Sequence, residues 1–309
     1  MNTQFNAIPD TPAEVRVVAP AVIPEGRLMY WSVQRELWEN RSIYIAPLAV
    51  AGLILFGFLI STIQLASKMR AALALDPIRR QELLAQPYNF AALLLMGTTF
   101  VVAVFYCLDA LHGERRDRSI LFWKSLPVSD LTTVLSKASI PIVVLPLITF
   151  AITVVTQWIM VLMSSAVLLG NGLSVATLWT DLSLSQMWMM LLYHLLTVHG
   201  LWYAPIFGWL LLVSAWARRA PILWAVLPAF AISFVEKIAF NTTHFAAMVA
   251  NRIGGGAEAV TAPGSVPMDP MTHLTPVHFL TSAGLWIGLA MAAAFLAGAV
   301  RLRRSQGPI

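Results

Sequence analysis

Long uncharged stretches separated by short charged ones dominate the pattern of this chain. Uncharged runs extend from Ser42 to Ser67, Pro87 to Leu108, Ala138 to Thr180, Leu182 to Ala217, Ala220 to Val235 and Met271 to Val300. Each is at or near the ~20 residues a helix needs to cross the hydrocarbon core of a bilayer. The pattern predicts an all-α integral membrane protein of about six transmembrane helices, with spans near 43–66, 88–109, 138–168, 187–215, 221–241 and 277–300. The third and fourth runs exceed one crossing, which leaves open an added re-entrant or interfacial piece, or a count differing by one or two.

Ahead of the first run the pattern changes. Residues 1–28 hold Pro9, Pro12, Pro20 and Pro24, carry Asp10 and Glu14, and lack a continuous apolar core. That composition predicts a flexible cytoplasmic tail rather than a cleaved signal peptide, with residues 29–309 forming the transmembrane domain. From Tyr30 to Arg41, Tyr30, Trp31, Val33, Leu37 and Trp38 fall on one side of a helical projection, and Arg35, Glu36 and Glu39 on the other. This predicts an N-terminal amphipathic interfacial helix that fixes where the first span enters the bilayer.

Composition agrees with the pattern: 58% of residues are hydrophobic, 11% are charged, and mean hydropathy is +0.74. A soluble domain carries about 25% charged residues. The formal charge of +5 matters through its placement rather than its size, and does not indicate nucleic acid. With both termini cytoplasmic, the inner side holds Arg16, Arg27, Arg35, Arg41, Arg115, Arg116, Arg118, Lys124, Lys137, Arg218, Arg219, Arg301, Arg303 and Arg304. The outer side holds Lys68, Arg70, Arg79, Arg80 and Arg252. This bias predicts a multi-pass protein of the cytoplasmic (inner) membrane with both ends inside. The first outer loop, with four of the outer cations, fits that topology least well. Cys107 is the only cysteine, so no intrachain disulfide forms.

Few positions carry candidate chemistry. Glu236 and Lys237 interrupt the fifth run and form a possible intramembrane polar site. They lie about 24 Å along that span at 1.5 Å per residue, close to its outer boundary, where anchoring is the ordinary role. His194 and His199 are about 140° apart on a helix and cannot share a metal on one face; no metal site is expected. Phe240 to His244 matches an FxxxH fragment of intramembrane prenyl-protein proteases, but the paired glutamate motif of those enzymes and their second histidine with an asparagine four residues on do not occur here. No catalytic set can be assembled, and no GxxxxGK[ST] or Rossmann glycine pattern is present. Pro47, Pro141, Pro146, Pro205 and Pro228 predict bends, with Gly200 and Pro205 marking the flexible point of the fourth span. The segment from about Asn241 to Pro276, rich in glycine and proline, reads as an exposed outer loop.

The loop over 111–137 is the most informative segment. Leu111 to Pro127 packs charge and bulky apolar residues between two long apolar runs. Ile120, Leu121, Phe122 and Trp123 point in successive directions about 100° apart on a helix, so no single lipid-facing stripe buries all four. A partner groove would; an interfacial helix with snorkelling cations is the alternative.

This loop resembles that of the permease subunits of type-2 ABC exporters. Their inner loop between spans two and three has an acidic-basic pair, a short apolar helix, a Leu-Pro-Val/Ile-Ser ending and a lysine before span three. Here these are Glu114-Arg115, Ile120 to Trp123, Leu126-Pro127-Val128-Ser129 and Lys137. The family commonly carries Gly-Thr where this chain has Arg118-Ser119.

The resemblance implies a cytoplasmic coupling helix docked on a separate ATPase that binds ATP and Mg. Glu114, Arg115 and Arg116 would make charged contacts, and Ile120, Leu121, Phe122 and Trp123, followed by Leu126 and Pro127, would enter an apolar groove. Arg218 and Arg219 are a possible second ATPase contact. It further implies two ATPase subunits, a second permease copy as homodimer or close paralogue, no cofactor in this chain and no catalysis by it alone. The cargo would be a hydrophobic or amphipathic substrate moved outward. An ATP-independent secondary carrier or intramembrane hydrolase is the competing expectation.

Overall fold

The computed structural model describes residues 24–125, 128–254 and 276–307. The tail expected over 1–28 lies outside the described residues as far as residue 23; from Glu25 the chain is helical. The first helices are α1 (Glu25–Glu39), α2 (Ser42–Ser61), α3 (Leu65–Leu73) and α4 (Pro77–Ala110). The loop contributes α5 (His112–Arg116) and α6 (Ile120–Ser125), followed by α7 (Asp130–Ser139) and α8 (Leu145–Gly170). Then come α9 (Ala176–Asp181), α10 (Leu184–His194), α11 (Ala204–Trp216), α12 (Pro221–Phe240), α13 (His244–Ile253), α14 (Pro276–Thr281) and α15 (Ala283–Ser305).

Among the described residues, five helical stretches are long and apolar enough to cross a membrane: Ser42–Leu73, Pro77–Arg116, Asp130–Gly170, Pro221–Phe240 and Ala283–Ser305. A sixth forms if Ala176–Trp202 and Ala204–Trp216, bent by 46°, count as one. The fold is that of a multi-pass helical membrane protein.

The stretches from Ser42, Pro77 and Asp130 contain 32, 40 and 41 residues. At 1.5 Å per residue the shortest is about 48 Å long, against a hydrocarbon core of ~30 Å. The surplus accounts for the cations of the loop around Asp76. Lys68, Arg70, Arg79 and Arg80 sit on helical extensions, and Arg80 pairs with Asp181 at 2.5 Å.

Prolines mark the irregular helix. Pro141 lies in a π-helical turn, Ile140–Val144, that leads into α8, where Pro146 removes a further amide donor. A second π-helical segment, Leu195–Trp202, ends at Tyr203, and Pro205 opens α11. The fourth span therefore breaks between Gly200 and Pro205, where the sequence pointed. The two π-helical segments meet at Gly200, where a Cβ would lie 3.0 Å from the Ile142 carbonyl oxygen.

The core runs through α4, α11 and α15. Half of the most apolar stretch of α4 is buried, against 6% of that in α12. Close packing depends on small residues: a Cβ at Gly208 would lie 3.2 Å from the Ala292 carbonyl oxygen. Polar side chains join α4, α8 and α10. Gln157 Nε2 donates to the Tyr88 carbonyl at 3.0 Å, Trp188 Nε1 donates to Gln157 Oε1 at 2.7 Å, and Thr99 bonds Thr149. Such bonds hold helices together where lipid supplies no hydrophobic drive.

The segment expected as an outer loop begins instead with a helix. Asn241, at φ 51°, reverses the chain, and α13 returns. Its last carbonyls, Arg252 O and Ile253 O, accept from Trp202 Nε1 at 3.0 Å and Tyr203 OH at 2.9 Å. The rest of that segment, 255–275, lies outside the described residues.

Overpacking a tight helix contact costs about 1–3 kcal/mol. Gly208→Leu is expected to lower the melting temperature in detergent, whereas Gly52→Leu, with nothing within 4 Å of its Cβ position, leaves it unchanged.

Candidate functional site: a buried charge cluster behind an exposed apolar turn

At the end of the bundle where α1 and the C-terminal turns of α15 both pack on α7, six charged side chains converge. The centre is Lys137, on α7 just before the third apolar run. Its Nζ lies 2.8 Å from Glu36 Oε1 and 3.1 Å from Glu114 Oε1, so one ammonium is shared by carboxylates from α1 and α5. Glu36 also accepts from Arg35 Nη2 at 2.6 Å and from Tyr106 OH at 2.8 Å. Glu114 Oε2 meets Arg303 Nη2 at 3.0 Å, and Arg303 Nη1 reaches Asp130 Oδ1 at 2.5 Å. Three acids and three bases close into a set, and Glu39, 3.8 Å from Arg35, stands at its edge.

Glu36 is fully buried, and Lys137, Arg303 and Glu114 nearly so. Burial by itself raises the Glu36 carboxyl, but Lys137 and Arg35 more than reverse this and hold it below its ordinary value of 4.5. For Arg35, burial pulls the guanidinium down, and Glu36, Glu39 and Glu114 together push it above its ordinary value.

The burial of Glu36 corrects its assignment to the solvent side of α1. Val33 and Leu37 do pack on the core, but Glu36 lies on the same buried side, while Tyr30, Trp31 and Trp38 are exposed. Turned this way, α1 supplies Lys137 with a carboxylate at 2.8 Å, without which a buried cation would stand unpaired.

The loop is clamped onto this cluster. The amides of Leu111 and His112 donate to Ser214 Oγ at 3.0 and 2.9 Å, fixing the end of α4 on α11. Glu114 and the buried Arg115 both turn inward. Arg115 Nη1 donates to the carbonyls of Ala215 at 2.5 Å and Ala217 at 3.4 Å, the negative end of the α11 dipole. Arg116 is exposed, beside Asp117 at 3.0 Å and Asp109 at 3.6 Å.

Arg118 adopts φ 58°, a left-handed conformation that glycine accepts without strain, and so breaks α5 from α6. Within α6, Ile120 points inward and is 1% exposed, whereas Leu121 and Phe122 are each 60% exposed. Trp123 is half-buried, with the Arg35 guanidinium 3.9 Å over its ring. Lys124 Nζ donates to the Gln306 carbonyl at 3.1 Å. Leu126 and Pro127 lie outside the described residues. Beyond them, Ser129 caps α7 by accepting from the Thr132 amide at 3.0 Å.

The other sequence candidates lie apart from this cluster. Glu236 accepts from Thr242 Oγ1 at 2.8 Å and from the amides of His244 at 2.7 Å and Phe245 at 2.9 Å, which makes it the cap of α13. Its carboxylate is thereby committed to the chain's own backbone. Lys237 is exposed. Arg218 and Arg219 are exposed on the short turn between α11 and α12. Sequence reasoning missed Arg35, Glu36, Asp130 and Arg303 as site members and read Lys137 only as part of the loop motif; Lys137 alone carried a legible signal, a charge set directly against an apolar run. Comparison with protein-family models, curated proteins and solved structures finds no match.

Removing one partner from a buried pair leaves an uncompensated charge and costs about 3–5 kcal/mol. Lys137→Met is expected to destabilise the protein by that order, and adding Glu36→Gln should restore part of the loss in thermal melts. The depressed Glu36 carboxyl gives acid sensitivity of defined sign. Its contribution is complete above its ordinary value of about 4.5 and is lost as pH falls through the lower folded value. Melting temperature should hold steady down to about pH 5 and then drop, with a shallower drop in Glu36→Gln.

Proposed function

We propose that this chain is the membrane-spanning permease subunit of an ATP-driven ABC exporter of the cytoplasmic membrane. In this reading both termini are cytoplasmic, and a separate ATPase that binds ATP and Mg drives export of a hydrophobic or amphipathic substrate. The observation that carries the reading is α6, an outward-directed apolar turn mounted on a base of buried, paired charges. Leu121 and Phe122, each 60% exposed, project from a helix whose other side is held by Ile120, Trp123 and Lys124. An exposed aromatic-aliphatic pair on a cytosolic loop is costly to leave in water and suits a partner's groove.

The loop motif adds to this. Arg118 stands where the resembled family commonly has glycine, and its backbone takes the conformation glycine favours. Within this reading the roles divide along the loop. Leu121 and Phe122 enter the ATPase groove and Arg116 supplies charge at its rim. Glu114 and Arg115 act behind the contact, carrying displacement of α6 into α1, α7, α11 and α15. A rigid base is what a mechanical coupling requires, because a push on a loosely held loop dissipates in the loop.

One copy makes half a pathway, so the assembly is a homodimer, or a heterodimer with a close relative, on two ATPases. The thinly packed α12 leaves surface for the second copy.

Co-expression with the proteins encoded beside this gene, any Walker-motif ATPase among them, tests the proposal. An ATPase is expected to co-elute with this chain, and Leu121→Ser with Phe122→Ser should abolish co-elution while the permease still melts as wild type does. Transport by the isolated chain without ATP would instead assign it to the ATP-independent carriers. Arg118→Gly relieves left-handed strain and should leave co-elution intact while raising stability by about 1 kcal/mol.

A further inference from the structure

Where α11 turns into α12, cationic side chains without acidic partners adjoin an apolar crevice. Trp209, Leu212, Val213 and Trp216 form an i, i+3, i+4, i+7 stripe on α11, and with Leu302 of α15 they line a crevice of about 250 Å³ with no polar wall. Its shape is fixed. Trp209 Nε1 donates to the Ala225 carbonyl at 3.0 Å, and Trp216 packs edge-on against Trp224, ring centroids 4.9 Å apart. Trp216 is the last residue of α11, and the turn that follows carries Arg218 and Arg219. Ala220, at φ 47°, closes that turn tightly before Pro221.

Among the described residues, neither Arg218 nor Arg219 has a carboxylate within ion-pair distance. Arg115, buried beneath them and near enough to Arg218 to feel its charge, also bonds only to carbonyls, those of Ala215, Ala217 and Gly307. The contrast with Arg35, Lys137 and Arg303, each paired with at least one carboxylate, is sharp. Like charges gathered without counter-charge at the end of two apolar helices call for an external anion, and the groove beside them calls for hydrocarbon.

We propose that this corner is a binding site for an anionic phospholipid. One acyl chain lies in the crevice against Trp209, Trp216 and Leu302, and the phosphate is held by Arg218 and Arg219. The orientation follows from the order of the parts, apolar stripe along the span and cations at its end, which matches the order of tail and headgroup in a leaflet. A zwitterionic lipid fills the crevice equally well but brings its own cation to the turn, so the site selects net negative headgroups. The inference needs the chain to lie in a bilayer and is independent of any ATPase.

The test uses the full chain in nanodiscs of phosphatidylcholine with phosphatidylglycerol, followed by native mass spectrometry of retained lipid. Phosphatidylglycerol is expected to be retained over phosphatidylcholine, with the preference falling on the order of fivefold per arginine removed in Arg218→Gln and Arg219→Gln. Leu302→Trp, which fills the crevice, should lower retention of both lipids. Thermal melts in phosphatidylcholine verify that the variants are folded. Equal preference in wild type and the double arginine variant overturns the proposal, as does Leu302→Trp retaining lipid like wild type. An arginine variant that loses a protein partner with lipid retention unchanged assigns the turn to protein contact and overturns it too.

Discussion

Everything at the charged end of this bundle depends on Lys137 being shared between Glu36 and Glu114. Each of these ions pays several kcal/mol to leave water, and the cost is recovered only if every charge finds an opposite one at short range. Closure of the set explains positions that local propensity does not. The α1 helix is turned so that Glu36 points inward, α5 is pulled under the bundle, and the end of α15 is pinned by Arg303 between Glu114 and Asp130. Removing any member unbalances elements far apart in sequence.

Much of the fold was legible before the structure. Runs of uncharged residues locate all the long helices, because a crossing demands length and apolarity and nothing else. The break of the fourth span near Gly200 and Pro205 was legible too, since proline removes a donor wherever it sits. The charge cluster was not. A sequence displays Glu36 and Lys137 a hundred residues apart, and helical projection assigns charge to the solvent side by default; only three-dimensional packing shows that they meet. For the same reason, Glu114 and Arg115 read as surface charges when they are interior ones. The returning helix α13 was hidden for a different reason. Its cap, Glu236, belongs to the preceding helix, and its C-terminal carbonyls are satisfied by Trp202 and Tyr203, so the usual local signals are missing.

Burial along α6 resolves the difficulty posed by its four consecutive apolar residues. A six-residue helix cannot hide four successive directions, and it does not: Ile120 faces the protein, Trp123 lies under the Arg35 guanidinium, and Leu121 and Phe122 remain outward. The exposed pair is thus set by geometry, being what is left after the chain's own contacts are used.

Glu114 and Arg115 show how the loop grips two sides of the bundle at once. Adjacent on a helix, they point about 100° apart. Glu114 enters the closed cluster and ties the loop to α7 and α15, while Arg115 satisfies its charge on the C-terminal carbonyls of α11, which offer only partial negative charge. The first pairs each cation with a carboxylate and the second does not, so Arg115 adds its charge to that of the nearby turn bearing Arg218 and Arg219. A displacement of α6 must carry both attachments or break one. Arg115 is itself buried, so neither attachment is given up cheaply. Because α11 is also packed tightly on α15, where a Cβ at Gly208 would lie 3.2 Å from the Ala292 carbonyl oxygen, the loop, α7, α11 and α15 are held as one body.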